Sequence, residues 1–233
     1  TNLSGMFRGE NDQKRTTFNQ DINNWNTSNV VIASEMFSYA TFNQDIGNWN
    51  TSSIRLLTAM FSYNPNFNQD IGSWDLSAMT DANNLINGSN YGSARNRMEG
   101  LFRNTSSFNQ DLSGWCVTDV TSEPDFFSLN SALAESNKPV WGKEFTVALT
   151  SGSESQTVTA NNAITSIVHT VTPICSGNLS SSNSGLPSGV ISDFNSNVNT
   201  ISGTPTQTGT YNYTITINGP STSSAITGTI TVQ

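Results

Sequence analysis

An eight-residue motif recurs four times in the first half of the chain and constrains the fold more than any other feature. Each copy runs from phenylalanine to tryptophan, at residues 18–25, 42–49, 67–74 and 108–115. A repeat of this kind is one supersecondary unit that cannot bury its apolar face alone. The sequence therefore predicts that successive copies stack into a solenoid with a shared core.

Other apolar positions keep the phase of the motif. Eleven and twelve residues after each tryptophan come Met36-Phe37, Met60-Phe61, Leu85-Ile86 and Phe126-Phe127. The step from Phe67 to Phe108 is 41 residues where the preceding step is 25, a difference of 16. We predict an insertion between Leu85-Ile86 and Leu101-Phe102, in the stretch 87–100. A shorter, charged insertion occupies residues 8–15, as is typical of a solvated loop. We expect about five turns of about 25 residues.

The first predicted turn is partial, because Leu3 and Met6-Phe7 match the end of a repeat with no octet before them. We therefore expect the chain to be a piece of a longer protein. In such a protein this turn would stack on an earlier repeat.

The composition changes near Lys143, after which the sequence has no lysine, arginine or tryptophan. Short runs that alternate β-branched and polar residues follow, at residues 145–149, 156–159, 167–171, 211–217 and 226–232. Such runs, separated by Gly, Ser, Asn and Pro, predict an all-β sandwich. We place the solenoid at residues 1–142 and the sandwich at residues 143–233, with Trp141 expected to close the end of the stack.

Composition excludes some classes of function. Charged residues make up 11% of the chain and the net charge is −8, which argues against a nucleic-acid partner that needs clustered lysine and arginine. No run of 18 apolar residues occurs, so we expect no membrane span in this sequence. We expect a monomer.

The octet, the Met-Phe pair and their spacing resemble the BspA-like, leucine-rich-repeat-like surface repeats of the DUF285 family. The resemblance covers about residues 1–142, where several positions recur in register. Residues 185–190 and 201–211 resemble bacterial Ig-like domains. The resemblance implies a mainly β, extracellular or cell-surface protein with a role in adhesion and no catalytic motif.

The Asn-Gln-Asp of each octet predicts three ladders of equivalent side chains, about 4.8 Å apart from turn to turn. Asn19, Asn43, Asn68 and Asn109 would form a self-complementary ladder that could also contact a ligand. Simple alternation would direct Gln20 and Ile22 inward and the Asn and Asp columns outward. The aspartates need donors, because like charges in register destabilise a sheet. They could cap turns or bind calcium, which makes Asp21, Asp45, Asp70 and Asp111 candidate metal ligands.

Residues that interrupt the repeats are the better candidates for binding. The insertion at residues 87–100 carries Tyr91, Arg95 and Arg97, Arg103 follows it, and Arg8, Lys14 and Arg15 lie in the first loop. Tyrosine and arginine are enriched at binding hot spots, although tolerated surface insertions are common. If the two loops share an edge, an acidic glycan or a protein would be a suitable partner.

The sequence offers little for catalysis. Its one histidine, His169, lies in a predicted strand and no Gly-x-Ser-x-Gly motif occurs, so we expect a structural histidine and no enzyme. Cys116 and Cys175 fall in different predicted domains, and the distance limit of a disulfide favours two separate thiols, although an extracellular pair would suggest a bond.

We therefore expect a non-catalytic binding module of a bacterial surface, with a protein or glycan ligand. The alternative is a structural stalk without a ligand of its own, and a calcium-rigidified segment is a third hypothesis.

Overall fold

The computed structural model describes residues 1–80, 85–86, 89–90, 92–93 and 96–233. They form two compact units, Thr1–Lys143 and Glu144–Gln233. The fold is mainly β. In the first unit the strands β1 (Leu85–Ile86) and β2 (Ser89–Asn90) form an antiparallel pair. Short 3-10 turns occupy Asn96–Met98 and Glu135–Asn137.

The Met-Phe segments of the first unit follow one another in five hydrogen-bonded copies. The Phe37 N–H donates to the Met60 carbonyl at 2.9 Å, and the Phe61 N–H donates to the Leu101 carbonyl at 3.1 Å. Isolated bridges between copies, such as Ile32 with Leu56, are parallel. Each copy thus satisfies its backbone with the next copy, which is how a repeat without long strands pairs its polar groups.

Phenylalanine rings form the centre of the first unit. The Phe of each Met-Phe pair stacks on the Phe that opens the following octet, with centroids 4.0 Å apart for Phe37 and Phe42 and 3.9 Å for Phe61 and Phe67. These four rings are fully buried. Large rings bury about 150–250 Å² each, so this double column supplies much of the hydrophobic stabilisation of the unit.

The octet tryptophans form a second column in which successive indole rings are 6.4 Å apart. The indole N–H of Trp49 donates to the carbonyl of Ile22 at 3.1 Å, and Trp74 donates to Ile46 at 3.1 Å. Trp115 repeats the contact with Ile71 at 2.9 Å. Each of these three tryptophans therefore bonds to the preceding copy and fixes the register between copies.

Two of the predicted Met-Phe equivalents are wrong. Because Phe61 bonds to Leu101, the pair that follows Met60-Phe61 in the stack is residues 101–102, while Leu85-Ile86 lies in the β1–β2 pair. The extra residues therefore enter earlier than predicted, before residue 97. Phe102 donates to Phe127 and Gly100 donates to Asp125, so Phe127 takes the methionine position, one residue later than predicted.

The last octet is covered by a segment that imitates a further copy. The Ala134 N–H donates to the Asn109 Oδ1 at 2.9 Å, and the Asn137 Nδ2 donates to the Asn109 carbonyl at 3.1 Å. Trp141 packs edge-on against Phe127 with ring centroids 5.0 Å apart, as expected for a residue that closes the stack. Residues 133–141 thereby satisfy donors and acceptors that a fifth octet would otherwise take.

The second unit is a sandwich of two four-stranded sheets, in the orders β4-β10-β9-β6 and β3-β5-β8-β7. Apart from the parallel pair of β4 with β10, neighbouring strands are antiparallel. The strands are β3 (Phe145–Ser151), β4 (Ser155–Val158), β5 (Ile167–Pro173), β6 (Ser180–Ser184), β7 (Val190–Asn195), β8 (Val198–Gly203), β9 (Gly209–Asn218) and β10 (Ser223–Val232). Strand β9 shows the alternation clearly, since Tyr213, Ile215 and Ile217 are buried with partly exposed residues between them.

All five predicted strands are present in the sandwich, as β3, β4, β5, β9 and β10. Strands β6, β7 and β8 were not predicted. Strand β6 contains only serine and asparagine, and it lies at a sheet edge, where four of its five residues are exposed. Such a strand needs backbone pairing alone and leaves no apolar pattern in the sequence.

The expectation of two separate thiols is wrong. Cys116 and Cys175 are both disulfide-bonded, and neither described cysteine is free.

The tryptophan column generates a test of the register. In Trp74→Phe the Ile46 carbonyl loses its donor in a buried setting, so the first unit should lose about 2–4 kcal/mol of unfolding free energy.

Trp25→Phe is the matched control. Trp25 is 37% exposed and stacks on Trp49 without donating to an earlier copy among the described residues, and its replacement should cost less than about 1 kcal/mol. Urea unfolding followed by tryptophan fluorescence reads this unit selectively, since all five tryptophans precede residue 144. Equal losses would contradict the assigned role.

Glu144 gives a second test, in the sandwich. This buried carboxylate accepts hydrogen bonds from the Ser221 N–H and from the N–H and Oγ1 of Thr222, at 2.9–3.1 Å. Burial alone would raise its pKa, but these hydrogen bonds outweigh burial and lower the pKa below the usual value. The stabilisation is therefore complete above the ordinary glutamate pKa of about 4.3 and is lost as the pH falls through the lower pKa of the folded state.

Glu144→Gln should therefore lower the unfolding free energy of the second unit by about 1–3 kcal/mol at neutral pH. The difference from the parent should shrink as the pH falls below about 4. Hydrogen exchange of residues 144–233 measured against pH checks both statements. A difference that does not depend on pH would show that the charge of Glu144 is not what matters.

Candidate functional site

The octet asparagines form a continuous ladder between copies. The backbone N–H of Asn43 donates to the Asn19 Oδ1 at 2.8 Å, Asn68 donates to Asn43 at 2.9 Å, and Asn109 donates to Asn68 at 3.0 Å. The last bond spans 41 residues of sequence with the same geometry. These four candidate binding residues are thus at the surface, but their side-chain oxygens are used within the scaffold.

The glutamines lie at the surface too, which makes the prediction that Gln20 points inward wrong. Gln20 is exposed, while Ile22 is buried as predicted. The Gln69 Nε2 donates to both the carbonyl and the Oδ1 of Asn43, at 3.0 and 2.9 Å. The glutamine must reach back to the preceding asparagine for these bonds, so it stays on the asparagine side of the chain.

The octet aspartates cap the turns that follow them. Asp21, Asp45, Asp70 and Asp111 each accept, through Oδ1, the backbone N–H two residues later, at 2.8–3.0 Å. Such Asx turns are a usual role of aspartate in tight turns. For Asp111, the hydrogen bonds from the side chain and backbone of Ser113 lower the pKa of the carboxyl. Among the described residues, no group of three or more His, Cys, Asp or Glu side chains is arranged to hold a metal ion.

The basic residues of the first loop are paired with carboxylates. Arg8 contacts Glu35, Lys14 contacts Glu10 at 2.8 Å, and Arg15 contacts Asp12. Arg15 also donates to the carbonyl of Tyr63, which holds the loop against the stack. These pairs leave little excess positive charge to attract the acidic partner that the sequence suggested.

The candidates near the second insertion have different positions. Tyr91 and Arg95 lie outside the described residues. Arg97 is buried, and its guanidinium donates to the carbonyls of Thr80 at 2.6 Å and Arg55 at 3.3 Å. It joins the insertion to the neighbouring copy and is not exposed for a ligand.

Arg103 lies in an aromatic column on the outside of the stack. The rings of Tyr39 and Tyr63 stack with centroids 4.5 Å apart. The guanidinium carbon of Arg103 lies 5.5 Å from the Tyr63 centroid and 5.1 Å from the Phe126 centroid. Cation–π contacts at such distances contribute about 0.5–1 kcal/mol at exposed sites. We call Tyr39, Tyr63, Arg103 and Phe126 the aromatic ridge.

The backbone of the ridge is held in an unfavourable region. Tyr39, Tyr63 and Phe126 have φ angles of 50°, 58° and 57°, which bulky residues rarely adopt. The hydrogen-bond register places Asn104 where the tyrosines stand in earlier copies, and Gly100 where Phe126 stands in the last one. Asparagine and glycine are the residues that this conformation favours. The fold therefore does not need aromatic side chains at these positions.

The ridge carries polar groups as well as rings. Tyr39 and Tyr63 are partly exposed. Burial first, and then the charges of Tyr63 and Asp12, raise the pKa of the Tyr39 hydroxyl, and Arg103 opposes this only in part. The hydroxyl is consequently neutral at physiological pH and can both donate and accept hydrogen bonds.

His169 has a partner that the sequence did not predict. It is buried in β5, and its Nε2 lies 3.2 Å from the Glu154 Oε1. The hydroxyl of Tyr213 donates to the Glu154 carbonyl at 3.1 Å. The buried His169 Nδ1 has no hydrogen-bond partner within the described residues, so the serine–histidine–acid arrangement of a hydrolase is not assembled here.

Comparisons with known proteins agree with a repeat unit followed by an Ig-like domain. Residues 1–94 and 90–147 match the family described as "Mycoplasma protein of unknown function, DUF285". Residues 146–233 match a family described as "Putative Ig domain". Since the first match covers well over half of the chain, the protein belongs to the DUF285 family.

Other comparisons add little. No curated protein matches the chain. A solved structure of a chimeric titin Z1Z2, functionalized with a KLER exogenous peptide from decorin, is 13% identical with a TM-score of 0.30. The alignment covers 37% of this chain and 93% of the titin chain, and it is too weak to carry an argument. No helix in the described parts of the chain is long and apolar enough to cross a membrane.

Three members of the ridge were not predicted. Tyr39 and Tyr63 stand at the same distance after a tryptophan, 14 residues, in two successive copies. That recurrence was a usable signal. Phe126 gave no such signal, because the sequence does not distinguish it from its neighbour Phe127. The one-residue shift that places Phe127 at the methionine position and exposes Phe126 is seen only in the structure.

The turn-capping role of the aspartates predicts how the protein responds to calcium. Since each Oδ1 already accepts a backbone N–H, a chelator should change the melting temperature by less than about 1 °C, because an ion that is not bound cannot stabilise by mass action. Differential scanning calorimetry with and without millimolar calcium checks this. A calcium-dependent rise of several degrees, abolished in Asp70→Asn, would restore the hypothesis of a calcium-rigidified segment.

Proposed function

We propose that the protein is a non-catalytic binding module of a bacterial surface protein. The DUF285 and Ig-like matches support a surface-protein module, and together with the disulfide-bonded cysteines they support an extracellular location, where disulfides persist. Adhesion to a glycan or a protein of another surface is the activity that we infer from the exposed ridge.

The scaffold of this module is, in our proposal, an LRR-like solenoid of the BspA type. The parallel bridges between copies and the repeated tryptophan and asparagine contacts support it. In repeat architectures each copy contacts only its neighbours, and equivalent positions line up along one edge. The ridge would then be a regular edge of the solenoid that presents side chains to a ligand.

The observation that carries the proposal is the aromatic ridge in a left-handed backbone. A bulky residue in this region costs about 1–2 kcal/mol relative to glycine or asparagine. Ring stacking returns about 0.5–1.5 kcal/mol, so the aromatic residues bring little net stability to the fold. Strained residues that the fold does not require are concentrated at functional sites, and exposed tyrosine and arginine are typical of binding surfaces.

We interpret the Glu154–His169 pair as a partly buried structural contact in the sandwich. The Ig-like unit would serve as a spacer, as such domains do in many surface proteins.

If the ridge binds the ligand, substitutions in the ridge should weaken binding without destabilising the fold. The double variant Tyr39→Asn, Tyr63→Asn should change the unfolding free energy by less than about 1 kcal/mol, since relief of φ strain offsets the lost stacking. It should weaken binding to any ligand detected on arrays of glycans and extracellular-matrix proteins by at least about tenfold. Biolayer interferometry of the full chain measures the affinity.

Ile191→Asn is the matched control, because Ile191 is 64% exposed in the sandwich and lies outside the ridge. It should bind like the parent. Arrays that stay blank with a folded protein would favour the structural stalk. A ligand that binds both variants as tightly as the parent would place the site elsewhere.

A further inference from the structure

A groove lies beside the last member of the ridge. Its volume is about 610 Å³, and its walls include Glu123, Asp125, Phe126, Leu129, Glu135 and Lys138. The volume falls within the range of about 300–1,000 Å³ of small-ligand sites. All of these residues belong to the first unit, and the groove begins where the aromatic column ends.

Apolar groups are exposed in this groove. The Phe126 side chain is 52% exposed and Leu129 is 44% exposed. Arg103 lies over the Phe126 ring, and no other described ring stacks on it, so the column ends at Phe126. An exposed aromatic ring is a platform on which the C–H face of a sugar ring or another flat group can pack, because such contacts bury apolar surface.

The walls of the groove carry three carboxylates, of Glu123, Asp125 and Glu135, and one ammonium, of Lys138. The Lys138 ammonium donates to the carboxylates of Glu123 at 2.9 Å and Glu135 at 2.7 Å. Burial would lower the pKa of Lys138, but the hydrogen bonds to Glu135 and Glu123 outweigh burial and raise it. The lysine therefore stays charged at physiological pH and compensates part of the negative charge of Glu123 and Glu135.

The polar groups of the rim are suited to hydroxyl ligands. The Glu135 side chain is 86% exposed, so its carboxylate can accept hydrogen bonds in addition to the one from Lys138. Asn130 donates from Nδ2 to the Asn104 Oδ1 at 2.9 Å, and its amide oxygen is a further hydrogen-bond acceptor. Carboxylate and amide acceptors beside an exposed ring match a ligand that carries both C–H faces and hydroxyl donors.

From these observations we infer that the groove beside Phe126 binds a neutral pyranose glycan, with one sugar ring packed on Phe126 and its hydroxyls donating to the rim carboxylates. This inference rests on the proposed binding function and assigns the ligand class. The net negative charge of the groove walls disfavours sialylated and uronate glycans, because like charges across an interface repel. The acidic ligand suggested by the loop sequences is replaced here by an uncharged one.

Phe126→Gly tests the inference without threatening the fold. Glycine stands at the equivalent position, Gly100, with φ of 61°, so the substitution should not strain the backbone. Ala59→Gly is the matched control, because Ala59 occupies the same position of its copy with φ of 54° and lies outside the groove walls.

Isothermal titration of the full chain with neutral tetrasaccharides of glucose, mannose and N-acetylglucosamine provides the readout. At least one of them should bind, Phe126→Gly should weaken its affinity at least tenfold, and Ala59→Gly should bind within twofold of the parent. Sialylated and uronate oligosaccharides of equal length should bind at least tenfold more weakly than the neutral ligand.

The outcomes separate the two proposals. Preference for acidic glycans, or equal binding by Phe126→Gly and the parent, would overturn the inference. Suppose that no glycan binds in the titrations but a matrix protein binds through the ridge. This result would overturn the inference of a glycan ligand and leave the proposed binding function in place. Absence of binding to glycans and proteins alike would overturn both.

Discussion

The first unit depends on one directional contact, the bond from the indole N–H of the second, third and fourth octets to a carbonyl of the copy before. Trp49, Trp74 and Trp115 each donate to the carbonyl of the octet isoleucine in the preceding copy, at 2.9–3.1 Å. A buried carbonyl left without a donor costs about 1–3 kcal/mol, so a copy that slips out of register loses its bond and its ring stacking together. The asparagine ladder follows the same direction on the outer surface. The apolar column and the polar ladder thus specify a single alignment.

That alignment is what makes a functional edge available. Once the register is fixed, residues at equivalent positions lie one above another, and the left-handed turns line up at the surface. Other copies have non-aromatic residues at these positions, such as Ala59, Gly100 and Asn104. The copies that carry Tyr39, Tyr63 and Phe126 instead accept backbone strain of about 1–2 kcal/mol per residue, which the tightly packed phenylalanine and tryptophan core can tolerate. Core and edge therefore have separate roles, stability in one and recognition in the other.

The sequence predicted the elements that carry a pattern. The octets predicted a shared core, which Ile22, Trp49 and Phe67 form, and alternation predicted β9 and β10. Features that depend on a single added residue or on backbone pairing alone escaped prediction. Strand β6 has no apolar residue, and the one-residue shift at Phe127 is visible only in its hydrogen bond from Phe102. Of the ridge residues, only Arg103 was predicted to bind a ligand. The other three are rings at positive φ, and this backbone conformation is a property of the fold.

The bond between Asn109 and Asn68 shows how the scaffold accommodates an insertion. It spans 41 residues of chain, against 25 for the bond between Asn68 and Asn43, yet the two lengths are 3.0 and 2.9 Å. The donor–acceptor geometry of the ladder is thus the same whatever length of chain connects the two asparagines. A segment of different length and composition can therefore be accommodated at this point of the chain while the neighbouring copies keep their geometry.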